Sequence, residues 1–440
     1  MRNLNSRSML LCSAIVLLYC LLYEWVNIFD IPYIKTYTNA LKFILPFALL
    51  FVSSLPSLPD YSIPKNYLLC FALFMTWALV PNVLSGHIPE TMMQWLKFIP
   101  RLLFCYVIFA YLLQRSEAKT VIMKALVVVA VGTVLQYVLL SMFHYPSDPS
   151  GFSLPIFRKV TYFGPYGLLG SGTANVYFQS IDLEIFRLTG FWQEPSIASG
   201  FLFMAFFLAR ALFGQTQQRR WKLAGLACLG GGLLTFSNAG HFAFGCALLS
   251  GHIVQFNEKR KNHVLYIVKV IILLVYIFLS VFGRQIVAKY YPDNMDLRYF
   301  IGVRESIKSP YGGRVEQAYS NIITVSKHPL GIGVRIPGRD AEGKGFDYSS
   351  FAPAMWLLST GWIGLFLLFM REAQVLRLMW KRLLPSNSVS IFQAWVALFC
   401  QNLIYGTWMT PLYFLLVAMV FAATYYRNDT VPIMQDSSAS

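Results

Sequence analysis

The chain has 440 residues, of which 56% are hydrophobic, 16% aromatic and only 13% charged, and its apolar residues come in blocks rather than in amphipathic stripes. That composition excludes an ordinary soluble globule and marks a polytopic membrane protein. A net charge of +16 would suggest a nucleic-acid partner for a soluble chain. Here its placement along the sequence matters more than its sum, and no nucleic acid is implied.

Crossing a bilayer as a helix takes about 20 apolar residues. Twelve runs qualify: 9–27, 40–57, 67–84, 96–114, 120–143, 196–214, 223–238, 240–256, 264–283, 352–370, 390–407 and 410–426. The fold expected is therefore an all-α polytopic membrane protein with about 12 transmembrane helices, forming a single integral membrane domain over residues 1–440. If the runs alternate from an inside N-terminus, the basic stretches "RSEAK", "QTQQRRWK", "NEKRKNH" and "REAQVLRLMWKR" and both tails fall on one side, with 17 of the 36 Lys and Arg. The positive-inside rule makes that side cytoplasmic. The first run, preceded by Arg2 and Arg7 and followed by no small-residue cleavage signal, reads as a retained anchor. All seven cysteines fall inside the runs without a CxxC pair, as buried small apolar residues do.

Two outer segments interrupt the short connections, 144–195 and 284–351. Ordered loops of that length are usually functional. The first holds "HYPSDPSGFSLP" and "YFGPYGLLGSGTANVYF", which predict turns and a short hairpin or re-entrant piece, and ends in "RLTGFWQEPSIASG". The second carries ten basic residues against seven acids. That excess reads either as a solvated surface or as an anion site beside the bilayer, where arginines bind phosphate bidentately. Within it, "GGRVEQAYSNIITVSKHP" has apolar or aromatic residues at 315, 318, 319, 322, 323 and 325, predicting an amphipathic helix along the membrane with Arg314 in its first turn. In "HPLGIGVRIPGRD", Pro and glycines force turns and let the backbone approach a ligand closely.

No Walker A, GxGxxG, HExxH or GxSxG sequence is present, so ATP-driven transport, zinc hydrolysis and a serine nucleophile lack support. The charges read as lying within the apolar runs are Lys42, Lys124 and Lys269. A proton-coupled transporter needs paired ionisable groups at membrane depth, whereas the ionisable groups here gather at the outer face. Glu194-Pro195 is a good helix start, with proline preorganised and a carboxylate at the positive end of the dipole. Arg187, seven residues earlier, offers the other reading: a carboxylate beside an arginine stays ionised and can orient or accept a proton. Of the histidines, His328 lies between the amphipathic helix and the Gly-rich turn, where it is either merely exposed or catalytic. His241 lies in the turn "FSNAGH" as a possible cap.

Taken in order, "RLTGFWQEPSIASGFL", "LLTFSNAG", "GGRVEQAYSNIITVSKHPLGIGVR" and "SFAPAMWLLSTGWIGLFLLF" resemble Wzy-type polysaccharide polymerases of the O-antigen polymerase and ligase superfamily. The first resembles the family's RxxGxxxEPxxxA signature through Arg187, Gly190, Glu194 and Pro195. The second resembles its Thr-x-Ser hairpin, with Asn238 where related ligases often carry arginine. The third resembles the large outer loop's arginine, helix and Pro-x-Gly-x-Gly turn.

The resemblance implies a GT-C-like glycosyltransferase with a large, partly helical periplasmic loop, in the bacterial inner membrane. Both termini would be cytoplasmic and the active site would face the periplasm. Its substrates would be undecaprenyl-pyrophosphate-linked oligosaccharides, polymerised into O-antigen, capsule or exopolysaccharide without cofactor or metal, and a chain-length regulator is an expected partner. The growing chain passes to a new repeat unit with release of undecaprenyl pyrophosphate. Cations aimed at the leaving pyrophosphate would lower the barrier, a role for Arg187, Arg314, Arg335 and Arg339. The acceptor hydroxyl needs a base or orienting acceptor, for which Glu194 ranks above His328. Ligases of the superfamily carry a His-Asn pair where this chain reads "DYSSFAPAM", which favours polymerase over ligase and adds Asp347 as a candidate base. An O-antigen ligase transferring polymer to lipid A-core, and a transporter of polysaccharide or lipid-linked oligosaccharide, stand as alternatives.

Overall fold

The structure, a computed structural model, describes residues 6–24, 32–53, 62–84, 86, 88–143, 175–178, 183–186, 188, 192, 195–255, 263–290, 314–333, 352–380, 388–405 and 410–425. Each of the twelve apolar runs is helical over most of its described residues. They form α1 (Ser6–Glu24), α2 (Pro32–Ser53), α3 (Ser62–Trp77) with the one-turn α4 (Val80–Leu84), α5 (Ile88–Gln114), α6 (Ser116–Phe143), α7 (Pro195–Thr216), α8 (Arg219–Leu234), α9 (Asn238–Gln255), α10 (His263–Tyr290), α12 (Ala352–Trp380), α13 (Val389–Tyr405) and α14 (Pro411–Tyr425), and α11 (Arg314–Lys327) lies in the second long loop. The first long loop contains an antiparallel hairpin of β1 (Asn175–Phe178) and β2 (Leu183–Phe186), in register Asn175 opposite Phe186 and Phe178 opposite Leu183.

Six stretches are long and apolar enough to cross a membrane by length and composition: Thr36–Ser53, Ile63–Leu84, Leu96–Gln114, Glu117–Val138, Pro195–Thr216 and Ala352–Leu378. Four shorter apolar helices accompany them, Ser8–Glu24, Ile267–Leu279, Val389–Ile404 and Pro411–Tyr425. The chain is a helical membrane protein. Three helices begin on proline (Pro32, Pro195, Pro411), whose missing N–H costs nothing at a position that has no intrahelical acceptor. Two helices are apolar all round and form the core. In α14 every residue from Pro411 to Thr424 is buried, and α7 is buried along most of its length, as expected of helices enclosed by others.

Around α14 pack α1, α5, α12 and α13, and around α7 pack α6, α8, α9 and α13. Small residues let the backbones close in, as in other membrane bundles. A β-carbon on Gly231 would stand 2.5 Å from Val134, one on Gly232 would stand 2.6 Å from the Phe203 ring, and one on Gly240 would collide with Ser199.

The connections fix which helix ends share a side, because short links force neighbours to be antiparallel. Residues 217–218 join α7 to α8, and 235–237 join α8 to α9. The start of α7, the end of α8 and the start of α9 therefore lie at one end of the bundle. Gly200, early in α7, packs against Gln401, late in α13, which brings the end of α13 and the start of α14 to that end as well. With only 381–387 between α12 and α13, α12 also begins there.

One feature reverses a sequence expectation. Arg371 and Glu372 read as part of a cytoplasmic loop, yet α12 continues to Trp380 and buries both, at 0% and 1% exposure. Side chains one residue apart on a helix normally diverge. Here the Arg371 guanidinium folds onto Glu372, with Nε donating to Oε1 at 2.6 Å. The Tyr413 hydroxyl donates to the other carboxylate oxygen and accepts from Trp395 Nε1 at 3.1 Å. The rings of Tyr67, Phe71, Tyr413 and Phe414 surround the guanidinium at 5.5–5.9 Å. A charge costs several kcal/mol to bury without a partner, and the pair is tolerated because each member neutralises and hydrogen-bonds the other. Arg371→Ala or Glu372→Ala should each destabilise the protein by about 3–5 kcal/mol, and Arg371→Met with Glu372→Gln together by less than the sum. Thermal unfolding in detergent measures this, and single variants melting with the wild type would contradict it.

Candidate functional site

The Gly-rich turn after α11 docks on a break in α12. The local cause of the break is "STG" at 359–361. Ser359 Oγ and Thr360 Oγ1 bond back to the carbonyls of Met355 and Trp356, at 2.9 and 2.7 Å, a pattern that bends helices. Gly361 follows at φ +66°, ψ −169°, a conformation open essentially to glycine alone. In an apolar bundle each backbone group released by the break needs a new partner. The Leu358 carbonyl accepts from Ile332 N at 2.9 Å, that of Ser359 from Gly333 N at 3.0 Å, and that of Thr360 from Trp77 Nε1 at 2.8 Å, while Trp362 N donates to the Pro329 carbonyl at 3.2 Å. The turn thus acts as a substitute strand of donors and acceptors for the broken helix.

Close approach here is backbone to backbone. The φ values are +90° at Gly331 and +104° at Gly333. A β-carbon on Gly331 would sit 2.6 Å from Gly361 N, and one on Gly361 would collide with the Pro329 carbonyl oxygen. The sequence reading had the glycines admitting a ligand; for Gly331 and Gly333 the neighbour they admit is α12. Helix α11 is anchored beside this joint. Val325 is buried against Leu357 and Leu358, Asn321 is buried with it, and Ile322 and Ile323 are exposed. Asn321 and Val325 thus face the protein, while Ile322 and Ile323 of the expected apolar set face away from it.

The site residues named from sequence fare unequally. His328 terminates α11: its N–H donates to the carbonyls of Thr324 and Val325, both at 3.1 Å, its carbonyl accepts from Gly331 N at 2.8 Å, and its side chain is exposed. Arg314 is the first residue of α11, as predicted, with its side chain outside the described part. Arg187, Glu194, Arg335, Arg339 and Asp347 lie outside the described residues. The flanks of the first two are described. Leu188 is buried, and its N–H donates to the Leu234 carbonyl at the end of α8 (3.0 Å). Trp192 is fully buried, its ring 4.5 Å from that of Phe201. Arg187 and Glu194 are thereby chain neighbours of two residues locked between α7 and α8.

The "FSNAGH" turn contributes its own contacts at the same end. Ser237 caps α9, with Oγ accepting from Gly240 N at 3.3 Å. His241 is therefore not the cap: its Nδ1 lies 2.6 Å from the Tyr276 hydroxyl of α10. Sequence reasoning missed the break at Gly361, the Trp77 donor and the Tyr276 partner. The Ser-Thr-Gly triplet was a readable sign of the first, and the other two depend on contacts distant in sequence. It also missed Arg101, which sits inside an apolar run.

The arrangement presents four motif stretches at one end of the bundle: the approach to α7, the α8–α9 turn, α11 with its Gly turn, and the opening of α12. It offers a backbone platform held by the hydrogen bonds between the Gly turn and α12. No family model, curated protein or solved structure matches the chain.

Because the joint depends on space that only glycine leaves, Gly331→Ala and Gly361→Ala should detach the turn. Gly230→Ala, with nothing within 4 Å of its β-carbon, should not. Limited trypsinolysis after Lys327 reads this directly: cleavage should rise about tenfold in the first two variants, the effect of roughly 1.4 kcal/mol of lost docking. Unchanged cleavage would contradict the docking.

Proposed function

We propose that the chain is a polysaccharide polymerase of the Wzy type, a GT-C-like glycosyltransferase of about twelve spans acting at the periplasmic face of the inner membrane. It transfers a growing glycan from undecaprenyl pyrophosphate to a new lipid-linked repeat unit. The observation that carries this reading is the convergence of the four resembling stretches on one end of the bundle, although they are spread over some 180 residues of sequence. A reaction between two lipid-linked substrates requires its groups at one membrane surface. The second long loop supplies cations, among them Arg314, Arg335 and Arg339, for a pyrophosphate whose charge develops as the glycosidic bond breaks. Arg187 joins them from the approach to α7. Glu194 then orients or deprotonates the acceptor hydroxyl, with His328 as the second choice.

One observation favours a second reading. The buried Arg371–Glu372–Tyr413 network is the kind of paired ionisable group at membrane depth that transporters use, and the sequence had seemed to lack one. A transporter of lipid-linked oligosaccharide would depend on this pair for transport itself, whereas in a polymerase the network is structural.

Complementation of a deletion strain separates these readings. With Arg187→Ala, Glu194→Ala or Arg314→Ala, surface glycans resolved by gel should collapse from a ladder to one repeat unit on the core. A ligase would leave no unit there while lipid-linked polymer accumulates, and a transporter would strand the unit inside. Normal ladders from all three variants would overturn the site assignment.

A further inference from the structure

Away from the loops, two cations converge on one aromatic ring inside the bundle. The Lys42 ammonium of α2 lies 4.9 Å from the centroid of Tyr23, and the Arg101 guanidinium of α5 lies 5.3 Å from it. The two are therefore no more than about 10 Å apart, a separation at which like charges in a protein still repel. Both belong to stretches apolar enough to cross the membrane, Thr36–Ser53 and Leu96–Gln114. Among the described residues neither cation has a carboxylate within ion-pair distance, unlike Arg371, which pairs with Glu372. Arg101 Nε is buried with no hydrogen-bond partner among the described residues.

An aromatic face offsets part of the cost of one cation, but not of two sharing a ring. The floor beneath them is closed, with Tyr19 packed edge-on to Tyr23 (5.3 Å) and tilted against Phe104 (4.5 Å). The rim is apolar and open: Phe43 and Ile44 beside Lys42, and Leu96 and Ile99 on the same helix as Arg101, are exposed. Each helix also carries an internal proline at this level. Pro46 cannot donate to the Lys42 carbonyl and Pro100 cannot donate to that of Leu96, which bends both helices here.

We infer that Lys42, Arg101 and Tyr23 form a binding site for the phosphate headgroup of an anionic membrane lipid, entered sideways from the bilayer between α2 and α5. A phosphate has several charged oxygens and bridges an ammonium and a guanidinium at once, taking the bidentate hydrogen bonds that Arg offers. The acyl chains then lie along the exposed apolar rim, which a free phosphate would leave bare. This site is independent of the loop arginines and of the polymerase reading.

The test uses the full chain in neutral detergent, titrated with dioctanoyl phosphatidic acid, dioctanoyl phosphatidylcholine or inorganic phosphate, with bound lipid counted by native mass spectrometry. Phosphatidic acid should bind the wild type, and the Lys42→Gln/Arg101→Gln double variant should bind it about a hundredfold more weakly, about tenfold per charge-assisted contact. Lys42→Arg should keep the affinity. Phosphatidylcholine should bind weakly, and millimolar inorganic phosphate should not displace the bound lipid. Equal binding by wild type and double variant would overturn the site, and displacement by inorganic phosphate would overturn its assignment to a lipid. If the double variant fails to fold, acetylation of Lys42 in the wild type decides: bound phosphatidic acid should protect it, and an unchanged acetylation rate would refute the proposal.

Discussion

The break in α12 at Gly361 is the constraint on which the end of the bundle that bears the start of α12 depends. A helix interrupted inside an apolar protein releases carbonyl and amide groups that cost about 1–3 kcal/mol each if left unpaired. Four of them are taken up from outside the helix, by Pro329, Ile332, Gly333 and the Trp77 indole. The break and the turn therefore stand or fall together. Because the turn directly follows α11, docking it also holds that helix, its Val325 on the Leu357–Leu358 surface, and with it the chain position of Arg314. A loop that would otherwise hang from the membrane is tied at its C-terminal third to the bundle's rigid part.

The same end gathers the approach to α7, through Leu188 on the Leu234 carbonyl and Trp192 on Phe201. Arg187, just before Leu188, and Glu194, just after Trp192, are neighbours in sequence of these two attachments. That is the economy expected of a site whose charged groups must meet a large, flexible substrate: the scaffold is rigid, and the loops supply the chemistry. Deeper in the bundle, the charges serve differently. Arg371 and Glu372 cancel one another under four aromatic rings, whereas Lys42 and Arg101 share a ring with no carboxylate at ion-pair distance among the described residues.

Much of this was legible in the amino acids. The apolar runs became helices where they are described, six of them in stretches long and apolar enough to cross a membrane by length and composition, because continuous hydrophobicity can be read locally. The helix at 314–327, the hairpin in the first long loop and the tightness of the Pro-Gly turn were each readable from local spacing. What local reading lacked was the partner. Nothing near Gly331 says that the backbone it approaches is thirty residues on at Gly361. Arg371 and Glu372 misled for a related reason: charge normally marks water, and only packing reveals that a pair neutralises itself in place. Arg101 was overlooked because Lys97 and Arg101 together barely dent a run that continues as "LLFCYVIFAYLL". Of the site residues inferred from resemblance, the structure describes the His328 side chain and the backbone of Arg314, while Arg187, Glu194, Arg335 and Arg339 lie outside the described residues.

The central claim is that the end of the bundle bearing the docked Gly turn catalyses glycan transfer between two lipid pyrophosphates. The most direct measurement is reconstitution of the purified chain in liposomes with its host's lipid-linked repeat unit and no nucleotide sugar, following glycan length and released undecaprenyl pyrophosphate together. The account predicts lipid-linked products at successive multiples of the repeat, with one undecaprenyl pyrophosphate released per bond formed. Intact single repeat units that only change leaflet, with no pyrophosphate released, would contradict it.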